Sequence, residues 1–108
     1  MIFNHNQIER DKEGYLINHS DWSEELADLI AREDCVTLTE EHWKIIHFVR
    51  EFYFEYHTSP AIRLLVKLLK ESYGPETGNS IYLQRLFPKG PAKQVSKIAG
   101  LPKPIKCL

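Results

Sequence analysis

The sequence predicts a mainly α-helical (α+β) fold: a small orthogonal helical bundle with an N-terminal β-hairpin and a flexible C-terminal arm. Apolar residues recur at helical spacing in several segments of residues 21–99, which predicts the helical body. Pro102 and Pro104, separated by one residue, exclude a helix in residues 100–108 and favour an extended, mobile arm. The length suffices for one core, so residues 1–108 are predicted to form a single domain.

Residues 2–17 are predicted to form the β-hairpin. Their first part alternates loosely, with Ile2 and Ile8 near its ends, and residues 15–17 are typical of a second short strand. The sequence Asp-Lys-Glu-Gly at 11–14 is typical of the turn between them. An isolated hairpin is only marginally stable, so we expect this one to pack on the helices that follow.

The first two helices have recognisable starts. Asp21 with Glu24 three residues later forms an Asp-type capping box, so the first helix is expected to begin at Asp21. The second is expected to begin at Thr39, because Leu38 and Trp43 are placed for a hydrophobic staple. Apolar residues cover more than one side of this helix, which predicts that it is the central one.

Three shorter helices are expected to follow. Ser59 as cap and Pro60 at the first helical position start the third. Residues 78–79 (Gly-Asn) open the fourth, and Pro91 starts a fifth that Gly100 closes. The short break at Ser59 between successive helices predicts a helix-turn-helix-like core.

Composition and the two cysteines limit the class of protein. No apolar run approaches the roughly 20 residues that a bilayer span needs, and residues 1–6 lack the basic and apolar regions of a secretory signal. A cytoplasmic location without membrane contact is therefore expected. Cys35 and Cys107 are too few for a disulfide-stapled scaffold, so both are expected to be free thiols.

Positive charge is concentrated near the C-terminal end. Residues 89–108 hold five lysines and no Asp or Glu, whereas the rest of the chain holds nine Lys or Arg against fifteen acidic residues. This asymmetry indicates either an acidic partner surface, from nucleic acid or protein, or a solvated tail that stays unfolded.

Cys107 is the candidate catalytic residue. It lies beyond the last predicted helix, where chain segments are mobile unless tied down, so its thiol is expected to be accessible. From Gly100 the seven residues to Cys107 span about 23–25 Å at full stretch, which suits delivery into the cleft of another protein. Lys103 and Lys106 would favour the thiolate, whereas the terminal carboxylate would oppose it. On position alone, an incidental thiol without function is an equal alternative.

The other candidate ligands have ordinary interpretations. Cys35 is expected to be a buried small residue or a loop thiol. His42 and His47 diverge by about 140° around one helix, whereas paired helical ligands lie three or four residues apart. They are expected at a surface or interface. No metal site and no cofactor is predicted, and no phosphate loop or hydrolase motif is present.

The helix-turn-helix-like arrangement makes DNA binding an alternative function. Residues 60–73 are mostly apolar despite three basic residues, and the body of the domain is acidic. A DNA-binding domain normally presents a basic face, so the sequence favours a small bundle without that role. For Arg50, Arg63 and Arg85 both partner binding and ordinary surface charge remain open.

Motifs along essentially the whole chain add a family resemblance. They are Glu13-Gly14-Tyr15-Leu16, Glu41-His42-Trp43, Phe48-Val49-Arg50, Thr58-Ser59-Pro60-Ala61-Ile62-Arg63, Leu86-Phe87-Pro88-Lys89-Gly90-Pro91-Ala92-Lys93-Gln94 and Lys97-Ile98-Ala99-Gly100-Leu101-Pro102-Lys103-Pro104. Together they resemble the DsrC/TusE family, and the last motif, followed by a penultimate cysteine, is highly specific to it. The resemblance implies a small helical fold whose C-terminal arm presents a sulfur-carrying cysteine, here Cys107.

The resemblance also distinguishes two branches of that family. Members in dissimilatory sulfur metabolism have a second cysteine eleven residues before the penultimate one, and this chain has Ser96 there. It is therefore more similar to the TusE branch, whose members act in tRNA thiolation. That branch implies a TusBCD-type sulfur donor and an MnmA-type tRNA thiouridylase with bound tRNA as partners. The alternatives are a DsrC-type partner of dissimilatory sulfite reductase, which Ser96 disfavours, and a helix-turn-helix regulator.

Overall fold

The computed structural model describes residues 2–3 and 6–104. It contains a pair of two-residue strands, β1 (Ile2–Phe3) and β2 (Asn6–Gln7), and five helices: α1 (Glu24–Glu33), α2 (Glu40–Tyr56), α3 (Ile62–Tyr73), α4 (Ser80–Leu86) and α5 (Pro91–Ile98). The predicted mainly α fold with a small N-terminal β element is confirmed. No helix in the described ranges is long and apolar enough to cross a membrane.

The N-terminal hairpin is built differently from the prediction. β1 and β2 pair with each other in antiparallel register, and the expected second strand contributes only an isolated bridge between Arg10 and Leu16. The reason is Asp11, whose carboxylate accepts hydrogen bonds from the backbone N–H groups of Glu13 and Tyr15, both at 2.9 Å. This local side-chain bonding competes with a longer strand ladder.

The hairpin region packs on the helical body, as expected. Ile8 and Leu16 belong to the hydrophobic core. The Tyr15 hydroxyl donates to the backbone carbonyl of Lys93 across 3.1 Å, which fixes this segment against the first turn of α5. Burial, with the carboxylates of Glu13 and Asp11 nearby, raises the pKa of Tyr15 to about 12, so the hydroxyl stays a donor.

α1 begins later than predicted. Its N-cap is Ser23, whose hydroxyl accepts from the backbone N–H of Leu26 at 3.1 Å, and the expected cap Asp21 lies in a preceding 3-10 turn. That turn has its own cap, Asn18, which accepts from the N–H of Ser20. Because Asp21 is part of the 3-10 turn, it does not cap α1, and Ser23, the next residue with a capping side chain, takes that place.

α2 begins at the predicted cap, Thr39, and His42 completes a capping box. Nδ1 of His42 accepts from the Thr39 N–H at 3.1 Å, and its Nε2 lies 2.8 Å from the carbonyl oxygen of Leu86 in α4. The prediction of a surface or interface residue is therefore wrong, because His42 is buried and joins two helices. His47 is exposed, as expected.

The start of α3 also differs from the prediction. Its N-cap is Ala61, whereas the expected cap Ser59 is buried and donates from Oγ to the carbonyl oxygen of Pro102 across 2.6 Å. A distant segment therefore takes the hydroxyl that the local pattern assigned to the helix. The starts of α4 at the cap Asn79 and of α5 with Pro91 in its first position are confirmed.

The core is centred on α5, which contacts each of the other four helices. The fully buried side chains of this core include some from each of the five helices. α2 was expected to be the central helix, but its C-terminal aromatics Phe54 and Tyr56 are exposed. The largest fully buried side chains are Leu26, Ile30, Ile45, Ile46, Leu65, Leu69, Leu83, Phe87, Ile98 and Leu101.

Candidate functional site

The predicted catalytic residue, Cys107, lies outside the described residues. The structure does describe the segment that leads to it, as far as Pro104. This segment follows the C-terminal end of α5, and side chains from other elements hold its backbone on the helical body.

The turn after α5 is formed as the sequence predicted, at Gly100. Gly100 has a positive φ of 72°, and its N–H donates to the carbonyl oxygen of Lys97 at 3.2 Å. The N–H of Leu101 donates to the carbonyl oxygen of Ser96 at 2.9 Å, which completes a Schellman motif. A Cβ at Gly100 would overlap the indole of Trp22, so the close approach of this side chain also requires glycine.

Three side chains from other elements hold the backbone on either side of this turn. The indole N–H of Trp22 donates to the carbonyl oxygen of Ile98 at 2.8 Å. A guanidinium N–H of Arg50 donates to the carbonyl oxygen of Ala99 at 2.6 Å, and Ser59 holds Pro102 as described above. We call Trp22, Arg50 and Ser59 the clamp.

The predicted arm, residues 100–108, therefore has a fixed base. Leu101 is buried in the core, and Nζ of Lys103 pairs with the Glu13 carboxylate at 3.0 Å. Because of that pair, the charge of Lys103 is partly compensated and its expected contribution to a thiolate at Cys107 is reduced. Residues 105–108 lie outside the described part of the chain, so the predicted mobility of the arm stays a prediction.

Arg50, the cation of the clamp, is half-buried against aromatic rings. Its guanidinium carbon lies 3.7 Å from the ring centroid of Trp22 and 5.1 Å from that of Phe54. Burial lowers the pKa of Arg50, because the charged form loses hydration. The carbonyl of Ala99 and the two ring faces replace that water.

Ser96 lies at the position where the family resemblance implies a second cysteine in the dissimilatory branch. Its side chain is fully buried in α5, and Oγ has no hydrogen-bond partner among the residues that the structure describes. A buried hydroxyl without a partner is unusual and costs free energy. This position therefore contributes no thiol and faces an apolar interior.

Cys35 is the second thiol of the chain and lies in the loop between α1 and α2. It is exposed and has a positive φ of 61°. Of the two predicted alternatives, the loop thiol is correct and the buried residue is wrong. Within residues 2–3 and 6–104, no three His, Cys, Asp or Glu side chains are grouped closely enough for a metal ion.

A polar cluster around Asp34 fixes the turn before α5. Its carboxylate accepts from Nζ of Lys97 at 2.9 Å, from the amide of Gln94 at 3.2 Å and from Nζ of Lys89 at 3.4 Å. Burial alone would raise the pKa of Asp34, but the hydrogen bonds from Lys97, Gln94 and Lys89 outweigh it and lower that pKa. Gln94 also accepts from the Lys89 N–H at 3.1 Å.

A cavity of about 690 Å³ opens beside the point where the described chain ends. It lies between the start of α3, the turn before α5 and Pro104. Part of its lining is apolar, and the remainder consists of basic side chains. Its lining residues are Ala61, Ile62, Arg63, Lys89, Gly90, Pro91, Ala92, Lys93, Lys103 and Pro104. The concentration of lysines after residue 88 was the sequence signal for this surface.

The clamp was not predicted from the sequence as a functional group. Ser59 was assigned to a cap, and Arg50 was left open between partner binding and ordinary surface charge. The shared role of the three clamp residues is bonding to backbone carbonyls between 43 and 76 residues away. A carbonyl is present at every residue, so no local pattern marks such a partner. Only the family motifs that contain Arg50 and Ser59 indicated a role for these two residues.

Comparison with known proteins agrees with this description. A family model described as DsrC like protein matches residues 2–108. Curated relatives named sulfurtransferase TusE are similar over the whole chain: 60% identical in Photorhabdus laumondii, with 97% of that protein covered, and 58% identical in Escherichia coli, with 99% covered.

Two solved structures are similar as well. The NMR structure of Allochromatium vinosum DsrC has a TM-score of 0.90 and 50% identity and covers 100% of this chain and 96% of its own. The oxidized gamma-subunit of the dissimilatory sulfite reductase (DsrC) from Archaeoglobus fulgidus has a TM-score of 0.85 and 39% identity, covering 97% and 96%.

Proposed function

The chain belongs to the DsrC-like family, and we propose that Cys107 is the residue on which it carries sulfur. The chain is a sulfurtransferase that acts as a sulfur carrier in a sulfur relay for tRNA thiolation. Such a carrier needs a nucleophilic sulfur atom that can reach two other proteins in turn. Of the two cysteines, Cys107 lies three positions after Pro104, the last residue that the structure describes.

The observation that supports Cys107 is the fixed base of its segment. The clamp and the Lys103–Glu13 pair hold the backbone on the body as far as residue 103. Cys107 follows Pro104 by three residues, so the two Cα atoms are at most about 10 Å apart. Because so few residues separate Cys107 from this fixed point, its thiol can reach only a limited volume. The entropy that it loses on entering a partner is therefore smaller.

In the proposed loading step, the Cys107 thiolate attacks the outer sulfur of a donor persulfide, R–S–SH. A new S–S bond forms on Cys107, the donor's S–S bond breaks, and the donor thiolate R–S⁻ leaves. Cys107 then holds –S–SH, and no external oxidant or reductant is needed. In the unloading step, an acceptor thiolate attacks the outer sulfur in the same way and the Cys107 thiolate leaves.

The partners that we propose are those of the tRNA-thiolation branch. A TusBCD-type complex is the donor, and an MnmA-type thiouridylase with bound tRNA is the acceptor for 2-thiolation of the wobble uridine. Both reactions need one thiol on the carrier. The buried hydroxyl of Ser96 favours this single-thiol cycle over a DsrC-type partnership with sulfite reductase, which resembles a two-cysteine cycle.

The proposal is tested by intact-mass and peptide mass spectrometry after incubation with a cysteine desulfurase, its substrate cysteine and TusBCD. One added sulfur is expected, mapped to Cys107 and removed by a thiol reductant. The Cys107→Ser variant should gain none, and Cys35→Ser should load like the wild type. Loading at Cys35 alone, or none with an active donor, contradicts the proposal. Activity retained in Cys107→Ser would instead favour a nucleic-acid-binding regulator.

A further inference from the structure

The cavity beside Pro104 has the properties of a docking groove for part of a protein. Its volume of about 690 Å³ lies in the range of sites that take a peptide side chain or a small ligand. Its accessible apolar surface includes that of Ile62 and Pro104. Ile62 is an exposed large hydrophobic residue at the first position of α3, where it has no role in the core.

The charges around the groove have one sign. Four basic residues line it, and none of its described lining residues is Asp or Glu. Two of the four are compensated within the chain, since Lys103 pairs with Glu13 and Lys89 with Asp34. Arg63 and Lys93 are exposed, and neither has an ion pair or side-chain hydrogen bond within the described ranges. They therefore face the groove as available cations.

We propose that this groove binds a segment of the sulfur-donor protein in which acidic residues flank an apolar side chain. The apolar side chain would pack against Ile62 and Pro104, and the acidic residues would pair with Arg63 and Lys93. The inference rests on the proposed function, because Pro104 lines the groove and leads to Cys107. A donor bound there would lie beside Pro104, and the Cα of Cys107, the residue that it must load, is at most about 10 Å from the Cα of Pro104.

Binding of RNA at this place fits the observations less well. Single-stranded nucleic acid is usually held by a basic surface with aromatic side chains for base stacking, and no described lining residue is aromatic. Only two of the lining cations are uncompensated, whereas phosphate backbones are bound through many. The proposed acceptor supplies negative charge through its bound tRNA. On the donor, the negative charge that complements the groove must come from acidic side chains of the protein itself.

The test is the rate of sulfur transfer from the donor complex to Cys107, measured by mass spectrometry at limiting donor. Arg63→Glu/Lys93→Glu should lower this rate about tenfold, because reversing charges at a docking site slows association and speeds dissociation. The matched control is Lys67→Glu/Arg85→Glu, which changes the net charge equally at exposed positions that do not line the groove. This control should stay within about twofold of the wild type.

A second reaction separates docking from chemistry. Glutathione persulfide, which needs no docking segment, should load Cys107 equally in the wild type and both double variants. Ile62→Gln, which removes apolar surface without changing charge, should also slow loading by the donor complex only. A donor rate within about twofold of the wild type in Arg63→Glu/Lys93→Glu overturns the inference. So does a defect confined to transfer onto the tRNA-bound acceptor, since the groove would then serve the RNA side. If wild-type Cys107 is not loaded by either reagent, the proposed function fails instead.

Discussion

The guanidinium of Arg50 stacks on the indole of Trp22 at 3.7 Å, and the two side chains donate hydrogen bonds to consecutive carbonyls, those of Ala99 and Ile98. The last carbonyls of a helix have no partner within it. Here two carbonyls at the end of α5 are satisfied by side chains from elsewhere. The positive charge of Arg50 also lies at the end of the helix dipole where a cation is favourable. The pair therefore stabilises the point from which the Cys107 segment starts.

Replacing Arg50 by Met should loosen this point. The variant loses a charge-assisted hydrogen bond and a cation–π contact, so we expect the free energy of unfolding to fall by about 2–4 kcal/mol. Urea denaturation measures this loss. Hydrogen exchange at the Leu101 amide, which bonds to Ser96, should speed up more than exchange in α2. The matched control Arg85→Met, on an exposed position of α4, should change stability by less than about 0.5 kcal/mol.

Gly100→Ala should disturb the same point through the backbone and through Trp22. A non-glycine residue at the positive φ of 72° costs about 1–2 kcal/mol, and the new methyl group must displace the indole. We expect a loss of at least about 2 kcal/mol in urea denaturation, together with a changed tryptophan emission. Gly90→Ala provides the control, because it also has a positive φ but a Cβ there meets no atom within 4 Å. The tryptophan emission should change in Gly100→Ala only, and an unchanged emission in that variant would contradict the role assigned to the Trp22 contact.

Local sequence patterns predicted the elements whose ends depend on neighbouring residues. Thr39, Asn79 and Pro91 start helices as expected, and Gly100 ends one, because each acts on backbone groups within a few residues. Asp21 failed as a cap because a second capping residue, Ser23, lies two positions later. The hydrophobic periodicity of the helix does not show which of two capping residues in one short segment begins it.

The remaining differences come from contacts between distant parts of the chain. Ser59 and His42 were assigned from their immediate neighbours, yet their partners are the carbonyls of Pro102 and Leu86. The same limit applies to the candidate site. Cys107 could be predicted from its position and the family motifs, and it stays a prediction. The docking groove needed the fold, since Arg63 and Lys93 are 30 positions apart in sequence and line one cavity only in the folded chain.

Ser96→Ala should stabilise the protein. The hydroxyl is fully buried and has no partner in the described part of the chain, so its removal eliminates a desolvation cost of about 1–3 kcal/mol and leaves little empty volume. A gain of about 1 kcal/mol would raise the Tm by about 4–8 °C in a domain of this size. Differential scanning calorimetry measures the shift, and loading of Cys107 should be unchanged.

The matched control for Ser96→Ala is the same substitution at Ser59, the other buried serine of the described residues. Its Oγ donates to Pro102 at 2.6 Å, so Ser59→Ala leaves that carbonyl without this donor and should lower stability by about 1 kcal/mol. The two variants should therefore shift the Tm in opposite directions. A lower Tm in Ser96→Ala would show that its hydroxyl has a partner, such as a bound water.

The pH dependence of stability should report on Asp34. Its pKa is lowered in the folded state, because hydrogen bonds from Lys97, Gln94 and Lys89 outweigh the effect of burial. A carboxyl with a lowered folded pKa stabilises the protein above its unfolded pKa of about 3.9, and this stabilisation is lost as the pH falls through the folded value. Asp34→Asn should therefore be less stable than the wild type at pH 7. The difference should begin to shrink below about pH 4, where the carboxyl of the unfolded chain takes up a proton, and should keep shrinking as the pH falls through the lowered folded pKa.

Urea denaturation at pH 7 and at pH 3 measures both differences. Asp28→Asn is the matched control, since Asp28 forms an exposed ion pair with Arg32 one helical turn away. Such pairs contribute about 0–1 kcal/mol, so this variant should differ little from the wild type at either pH. A difference for Asp34→Asn that is the same at pH 7 and pH 3 would mean that the shape of the side chain, rather than its charge, holds Lys97 and Gln94. The turn before α5 would then depend on packing, and lysine pairing at Asp34 would have no measurable role in orienting the groove.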